Sequence, residues 1–364
     1  MPVNAGPLYE KLRFQEPQIT LTCPASGRMW LVSFCAFITV MQSALTDSFS
    51  SLILAVVSVV AAVVTDFFIL NKSNRAALLK DGSTVASALI LALLLPNKIA
   101  PIYAVMGSIF AVVVIKHGFG GLGSNWLNPA AGGWLFIRLS WPVSFSRALE
   151  GSPLSLLTQN IDKGFSSPGA SPIEILAAIP GGISSHGGFM EAHLRPFLNN
   201  TVFSFLKIEM PEYYLGFLTS QSPGLIVDRG ILALILGTVI INIYQAGRTL
   251  VPVLWLAIFI FFTRLSGTIP FGAGWWKGDV FFALCSGGTL AAAFILALDP
   301  VTSAKSSWCI YGTAVIGGFF AWLFRYPGAE AYGAIYSVLV INALLPAIRS
   351  FENRLIYQKR RVYE

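Results

Sequence analysis

The chain has 364 residues, of which 55% are hydrophobic and 11% charged, with a mean hydropathy of +0.70. Soluble domains carry about 25% charged residues, so this composition excludes a disordered chain and argues against a soluble enzyme. The formal charge of +7 would suit nucleic acid only if the basic residues shared one surface. The one dense cluster is Lys359-Arg360-Arg361 at the C-terminus, which leaves a helical protein of many membrane crossings.

A helix crossing the hydrocarbon needs about 20 apolar residues. Residues 1–28 are polar and read as a cytoplasmic segment without a cleavable signal peptide. Spans are expected over 29–46, 50–70, 83–97, 100–116 and 129–141, which make a first five-helix repeat, 29–141. A polar stretch, 142–228, reads as one long extracytoplasmic loop. Further spans over 229–246, 250–266, 279–298, 308–324 and 330–349 make a second repeat, 229–349, followed by a basic cytoplasmic tail, 350–364. The expected fold is all-α, with about ten transmembrane helices, some of them short and glycine-rich. Lys11, Arg13, Lys72, Arg75, Lys80, Lys116, Arg248, Lys305 and the tail cluster all fall on segments of one side. Positive charge stays inside, so both termini are expected in the cytoplasm and the long loop outside.

Gly82-Ser-Thr-Val-Ala-Ser-Ala-Leu-Ile-Leu-Ala-Leu93 aligns with Gly287-Gly-Thr-Leu-Ala-Ala-Ala-Phe-Ile-Leu-Ala-Leu298 at a constant offset, with eight of twelve positions identical. Each copy ends near a proline, Pro96 or Pro300, and is followed by a glycine-containing apolar helix that closes on Lys116 or Arg325. Such self-similarity marks an internal repeat. Five spans separate equivalent points, so the copies are expected to cross in opposite directions. That is the inverted-repeat plan, in which broken helices put polar backbone near the midplane.

Acidic groups inside apolar spans are costly and often mark ion paths. Asp66, Asp81 and Asp299 lie within or at the inner ends of spans, and Thr84 and Thr289 are the matched hydroxyls of the repeat. These five are the ion-path candidates. Residues 116–130 hold four glycines, two asparagines and a proline; Gly118, Gly120, Gly121 and Gly123 miss the dinucleotide spacing, and a tight re-entrant turn is expected. Cys23, Cys35, Cys285 and Cys309 show no CxxC spacing, and His117, His186 and His193 no HExxH spacing, so no metal site is expected. Phe165-Ser-Ser-Pro-Gly-Ala-Ser-Pro-Ile173, in the long loop, reads on its own as a turn.

Taken together, these segments resemble the D-type subunit of the Rnf electron-transport complex and the homologous B-type subunit of the sodium-pumping NADH:quinone reductase, the RnfD/NqrB family. The resemblance runs through Glu16-Pro-Gln-Ile19, Arg28-Met-Trp30, Asp81-Gly-Ser-Thr84, Leu95-Pro96, Lys116 to Asn128-Pro-Ala130, Gly287-Gly-Thr289, Asp299-Pro-Val-Thr-Ser303, Tyr332-Gly-Ala334 and Asn342-Ala-Leu-Leu-Pro346. It implies an electron carrier of a bacterial cytoplasmic-membrane complex, working with other subunits rather than as a stand-alone enzyme. It also implies coupling of electron transfer to Na+ or H+ movement. Family members hold FMN through a phosphoester in a D-x-x-S/T-G-A-T motif. Gly169-Ala-Ser171 matches its end and places Ser171 at the attachment position, with Phe165 for the aspartate and Pro168 for the first hydroxyl residue. Non-covalent riboflavin is implied as a second cofactor. An alternative of a different class is a urea-channel-like small-solute channel, with Thr84 and Thr289 as its two hydroxyl sites.

Overall fold

The computed structural model describes residues 25–46, 49–70, 81–118, 120–121, 124–125, 127–150, 193–204, 224–244, 249–266, 275–276, 278, 280–299, 301–304, 306–328 and 330–363. Among them the chain is helical throughout, with no strand and one isolated bridge between Pro96 and Leu225. The first half contains α1 (Ala25–Thr46), α2 (Ser50–Ile69), α3 (Ser83–Leu94), α4 (Pro101–His117), α5 (Pro129–Ser140) and the short α6 (Pro142–Ala148). After a short exposed helix, α7 (Arg195–Leu198), come α8 (Ile226–Arg229), α9 (Ile231–Tyr244), α10 (Leu250–Leu265), α11 (Val280–Leu284) and α12 (Thr289–Ala291). The described chain closes with α13 (Ser307–Arg325) and α14 (Gly333–Tyr363). Among the described residues four segments are long and apolar enough to cross a membrane: Ser26–Leu45, Ser50–Ile69, Ser307–Arg325 and Gly333–Arg354.

The side-chain distribution on α2 says what solvent the helix meets. It buries Ser51, Ala55, Ser58, Ala62 and Asp66 with Leu54, and exposes Ile53, Val56, Val60, Val64, Phe67 and Phe68. A helix in water shows the opposite pattern. Small and polar residues inside with branched and aromatic residues outside is the pattern of helices packed in lipid. The chain is a multi-pass membrane protein.

The segments expected from hydropathy are helical over most of their described residues, though the helix in 83–97 stops at Leu94, and two larger differences stand out. The expected span 279–298 is interrupted: α11 stops at Leu284 and α12 begins at Thr289, continuing as a wide π turn over Ala292–Leu296. Gly287 and Gly288 lie between them at φ +70° and +68°, a left-handed backbone that breaks a helix and that glycine adopts without steric cost. At the other end of the chain, α14 continues through Pro346 to Tyr363, past the boundary at 349.

Helix α3 is the hub. It has 12 residues, about 18 Å at 1.5 Å per residue, too short for a bilayer core of about 30 Å. Leu91 to Leu95 are completely buried, and α1, α2 and α5 pack around it. Its first turn follows Gly82 at φ +68°. Its C-terminal carbonyl on Leu95 accepts the amide of Ile226 at 3.0 Å, and the Asn97 amide donates to Gly224 O at 3.0 Å. Backbone ending inside an apolar slab must be paired by protein, and the chain at 224–226, from the other half, does so here.

Space at Gly287 is also tight, since a Cβ there would lie 2.4 Å from Ala331 O. Gly121 has φ +90° with nothing within 4 Å of its Cβ position. Left-handed backbone costs a side chain about 1–2 kcal/mol. Gly121→Ala is therefore expected to lower the apparent melting temperature in detergent by that penalty alone, and Gly287→Ala by clearly more. Equal losses would show that the break at 287 is not sterically fixed.

Candidate functional site

Two buried polar clusters, one at each of two helix beginnings, dominate the interior. The first is centred on Asp66, 1% exposed and near the C-terminal end of α2. Its Oδ2 accepts hydrogen bonds from Thr84 Oγ1, on the first turn of α3, and from Lys116 Nζ at 2.9 Å. Lys116 Nζ also donates to Thr84 Oγ1 at 2.6 Å, and His117 Nε2 lies 2.5 Å from Asp66 Oδ1. Lys116 and His117 end α4 on a π turn, Ala111–His117. That turn lets two consecutive side chains reach one carboxylate, one on each oxygen. Charges buried this deeply persist only when paired and hydrogen-bonded, and three elements converge to provide that.

The second cluster repeats the first with different chemistry. Thr289, on the first turn of α12, is fully buried, and Arg325 Nη1 donates to its Oγ1 at 2.8 Å. Arg325 ends α13 and is itself 3% exposed. Its Nη1 also donates to Ala283 O and Ser286 O, each at 2.9 Å, and its Nη2 to Ser286 Oγ at 2.5 Å. The fork thus closes the carbonyls that α11 leaves open where it stops. From the other side Asp228, on α8, accepts the amides of Gly287 and Gly288 at 2.9 Å each. In both halves the repeat threonine is held by the basic residue that ends the next helix.

Between the halves lies a cavity of about 350 Å³. Its polar lining is Arg28, Ser83, Ser87, Lys116, Asn125, Asn128 and Asp299, and its apolar lining includes Ile90, Ile241, Phe294, Ile295 and Leu298. Asn128 caps α5, its Oδ1 accepting from Ala130 and Ala131, while its Nδ2 donates to Asp299 Oδ2 at 2.9 Å. That bond ties the start of α5 to the turn after the second repeat copy. Asn125 Oδ1, buried, has no hydrogen-bond partner among the described residues.

The family model described as the NQR2, RnfD, RnfE family matches residues 14–358. The chain belongs to the NQR2, RnfD, RnfE family. Its relatives include the D-type subunit of a proton-translocating ferredoxin:NAD(+) oxidoreductase complex from Clostridium ljungdahlii, 26% identical over 347 residues and 95% of each chain. The D-type subunit of an ion-translocating oxidoreductase complex from Alcanivorax borkumensis is 30% identical over 80% of each chain, and that of Vibrio cholerae 27% over 90%.

In this member of the NQR2, RnfD, RnfE family, the structure joins Asp66 directly to Thr84 and places Asp299 on the cavity with Ser83 beside Thr84. Asp81 makes a local bond, accepting from Ser83 Oγ at 2.6 Å. Thr289 sits apart, in the second cluster. Ser171 lies outside the described residues. Sequence reading missed Asp228, His117 and Asn128 as site residues and read Lys116 and Arg325 as markers of topology; their place at the ends of matched helices after matched threonines was the available signal.

Lys116→Met would leave buried Asp66 with only Thr84 and His117, a loss expected to cost up to about 3–5 kcal/mol. Replacing both members, Lys116→Met with Asp66→Leu, removes the unpaired charge. Thermal unfolding of the purified subunit is expected to rank wild type above the double variant and the double variant above Lys116→Met. A single variant as stable as wild type would show that the pair carries no folding energy.

Proposed function

We propose that this chain is the D-type membrane subunit of an Rnf-type ion-translocating oxidoreductase complex, passing electrons by way of flavin between partner subunits and coupling that transfer to movement of Na+ or H+. The observation that carries the reading is the family match over residues 14–358, with relatives named as D subunits of such complexes. The buried charge clusters and the cavity between the halves support it from the side of geometry. A bacterial cytoplasmic membrane and neighbouring subunits of the complex follow from the same reading, with both termini on the cytoplasmic side, as the loop charges favour.

The architecture we infer is ten spans in two inverted five-helix repeats. Two contacts support the opposite sense of α3 and the α12 segment. Asp299, beyond the end of the second copy, shares the cavity wall with Ser83 at the start of the first. Leu225, bridged to Pro96 beyond the end of the first copy, lies against the Cβ position of Gly288 where the second begins.

The cavity suits a non-covalent flavin. A flat heteroaromatic group with one polar edge matches a lining that combines apolar side chains with amides and hydroxyls. The unsatisfied Asn125 Oδ1 is an acceptor awaiting a donor, and a ring N–H is such a donor. Asn125, Ser87 and Asn128 would hold its polar edge and Phe294 and Ile295 its face. A flavin so bound supplies one- or two-electron chemistry. The protein's own part is electrostatic: Lys116 and Arg28 bring positive charge and Asp299 negative charge to the lining of the cavity, and charges inside a protein interact more strongly than in water. Asp66, Thr84, Asp81 and Asp299 are the ion-path candidates of that end, and Thr289 is the candidate of the other. Covalent FMN at Ser171 rests on the resemblance of the loop motif, because a serine hydroxyl can form the same phosphoester as threonine.

A solute channel is the weaker reading, since its two hydroxyl sites would be Thr84 and Thr289, and both are gripped by Lys116 and Arg325. The B-type component of a quinone reductase shares the family, and the relatives named above are D subunits.

The test separates the two flavins. On a denaturing gel the wild-type band is expected to fluoresce and Ser171→Ala not to; no fluorescence in either rejects covalent FMN. Acid extraction of the intact complex is expected to release less free flavin from Asn125→Leu than from wild type. Equal yields place that flavin elsewhere.

A further inference from the structure

A second, smaller cavity lies deeper in the second half, bounded by α10, α13, α14 and the turn that follows the second repeat copy. It measures about 30 Å³ and is lined by four polar side chains, Thr302, Ser303, Thr313 and Asn342. That is space enough for a water molecule. Asn342 is 2% exposed, and its Nδ2 has no hydrogen-bond partner among the described residues. An amide donor shut in an apolar bundle without an acceptor costs about 1–3 kcal/mol, and none of the nearby hydroxyls takes its hydrogen.

The cavity has a polar connection to the larger one. Thr302, 4% exposed, lines the small cavity and donates through Oγ1 to Asp299 Oδ2 at 3.2 Å. Asp299 lines the large cavity and receives Asn128 Nδ2 at 2.9 Å. Amide, carboxylate, hydroxyl and polar pocket therefore follow one another, from the cavity between the halves to helix α14. The turn itself is clamped from α14, where Arg349 Nη2 donates to Val301 O at 2.9 Å and Glu352 Oε1 accepts from Ser306 N at 2.8 Å.

We propose that the small cavity is a one-water binding site, in which the water accepts from Asn342 Nδ2 and bonds Thr302, and that this water links Asp299 to α14 in a way ion movement depends on. Water fits better than a cation: the unsatisfied atom is an N–H donor, and no carboxylate lines the pocket among the described residues. Asn342 acts here as a positioning residue, holding the water that holds Thr302 against Asp299. The role in ion movement rests on the proposed ion-translocating function; the water site does not.

Two measurements on the intact complex test it. A structure resolving ordered solvent is expected to show one water within hydrogen-bond distance of Asn342 Nδ2, and an empty pocket overturns the proposal. In proteoliposomes, ions moved per electron transferred are compared for wild type, Asn342→Leu, Asn342→Ser and Thr302→Val. Leucine fills the pocket, whereas serine leaves room for the water and a hydroxyl to bind it. Asn342→Leu and Thr302→Val are expected to lose at least fivefold in the ratio, with uncoupler-released electron transfer unchanged, and Asn342→Ser to stay within twofold of wild type. Equal ratios for leucine and serine overturn the role. If Asn342→Leu does not assemble, an undiminished ratio in Thr302→Val overturns it too. A wild-type complex that moves no ion would instead reject the proposed function, and the solvent density would still decide the water.

Discussion

A helix that begins inside an apolar slab must find partners for its first amides and for the carbonyls of whatever stopped before it. This constraint shapes both halves of the protein. Where α11 stops and α12 starts, Asp228 takes the two glycine amides while Arg325 takes the open carbonyls of Ala283 and Ser286. A carboxylate and a guanidinium thus face one helix break from opposite sides, each neutralising what the other leaves. In the first half the break is eased differently: Gly82 turns the chain, and the ion pair of Asp66 and Lys116 closes on the first-turn hydroxyl of Thr84. Since lipid offers no hydrogen bonds, neither break could exist without the residues brought to it from distant segments.

The two clusters share a plan and differ in chemistry. Arginine is a rigid fork of five donors, suited to collecting several carbonyl oxygens at once. Lysine is a compact point charge, suited to a single carboxylate. Arg325 accordingly binds backbone and hydroxyl oxygens and acts as a structural plug. Lys116 is tied to Asp66 yet forms part of the cavity wall. Changes of charge in the cavity therefore act directly on the first cluster, whereas the second has no lining residue there. Of the two clusters, only the first opens on the space between the halves.

Much of this was legible in the sequence because lipid imposes simple rules. The apolar segments, the repeat at Gly82 and Gly287, and Asp66 as an acidic group in a span all follow from hydropathy and self-similarity. The break at 285–288 was implicit in Gly287-Gly288, but the hydropathy of the flanking residues concealed it, since an interrupted apolar segment has the same composition as a continuous one. Asp228 was hidden for a different reason. It stands at the edge of a long polar stretch, where an acidic residue reads as solvated, and only the fold returns it to the two glycine amides 59 and 60 residues later. Lys116 and Arg325 carried two signals at once, and loop charge explained them too readily.

The same asymmetry separates the candidate acidic residues. Asp66 is fully committed, both of its oxygens taken by side chains of the protein. Moving an ion to it would first require breaking an interior ion pair, which costs several kcal/mol. Asp299 accepts from the side-chain amide of Asn128, the hydroxyl of Thr302 and the backbone amide of Val301. It lines the cavity, and the turn that carries it is clamped by α14 rather than buried in a continuous helix. Of the two carboxylates, Asp66 is thus locked into the first cluster, whereas Asp299 stands on the wall of the cavity between the halves.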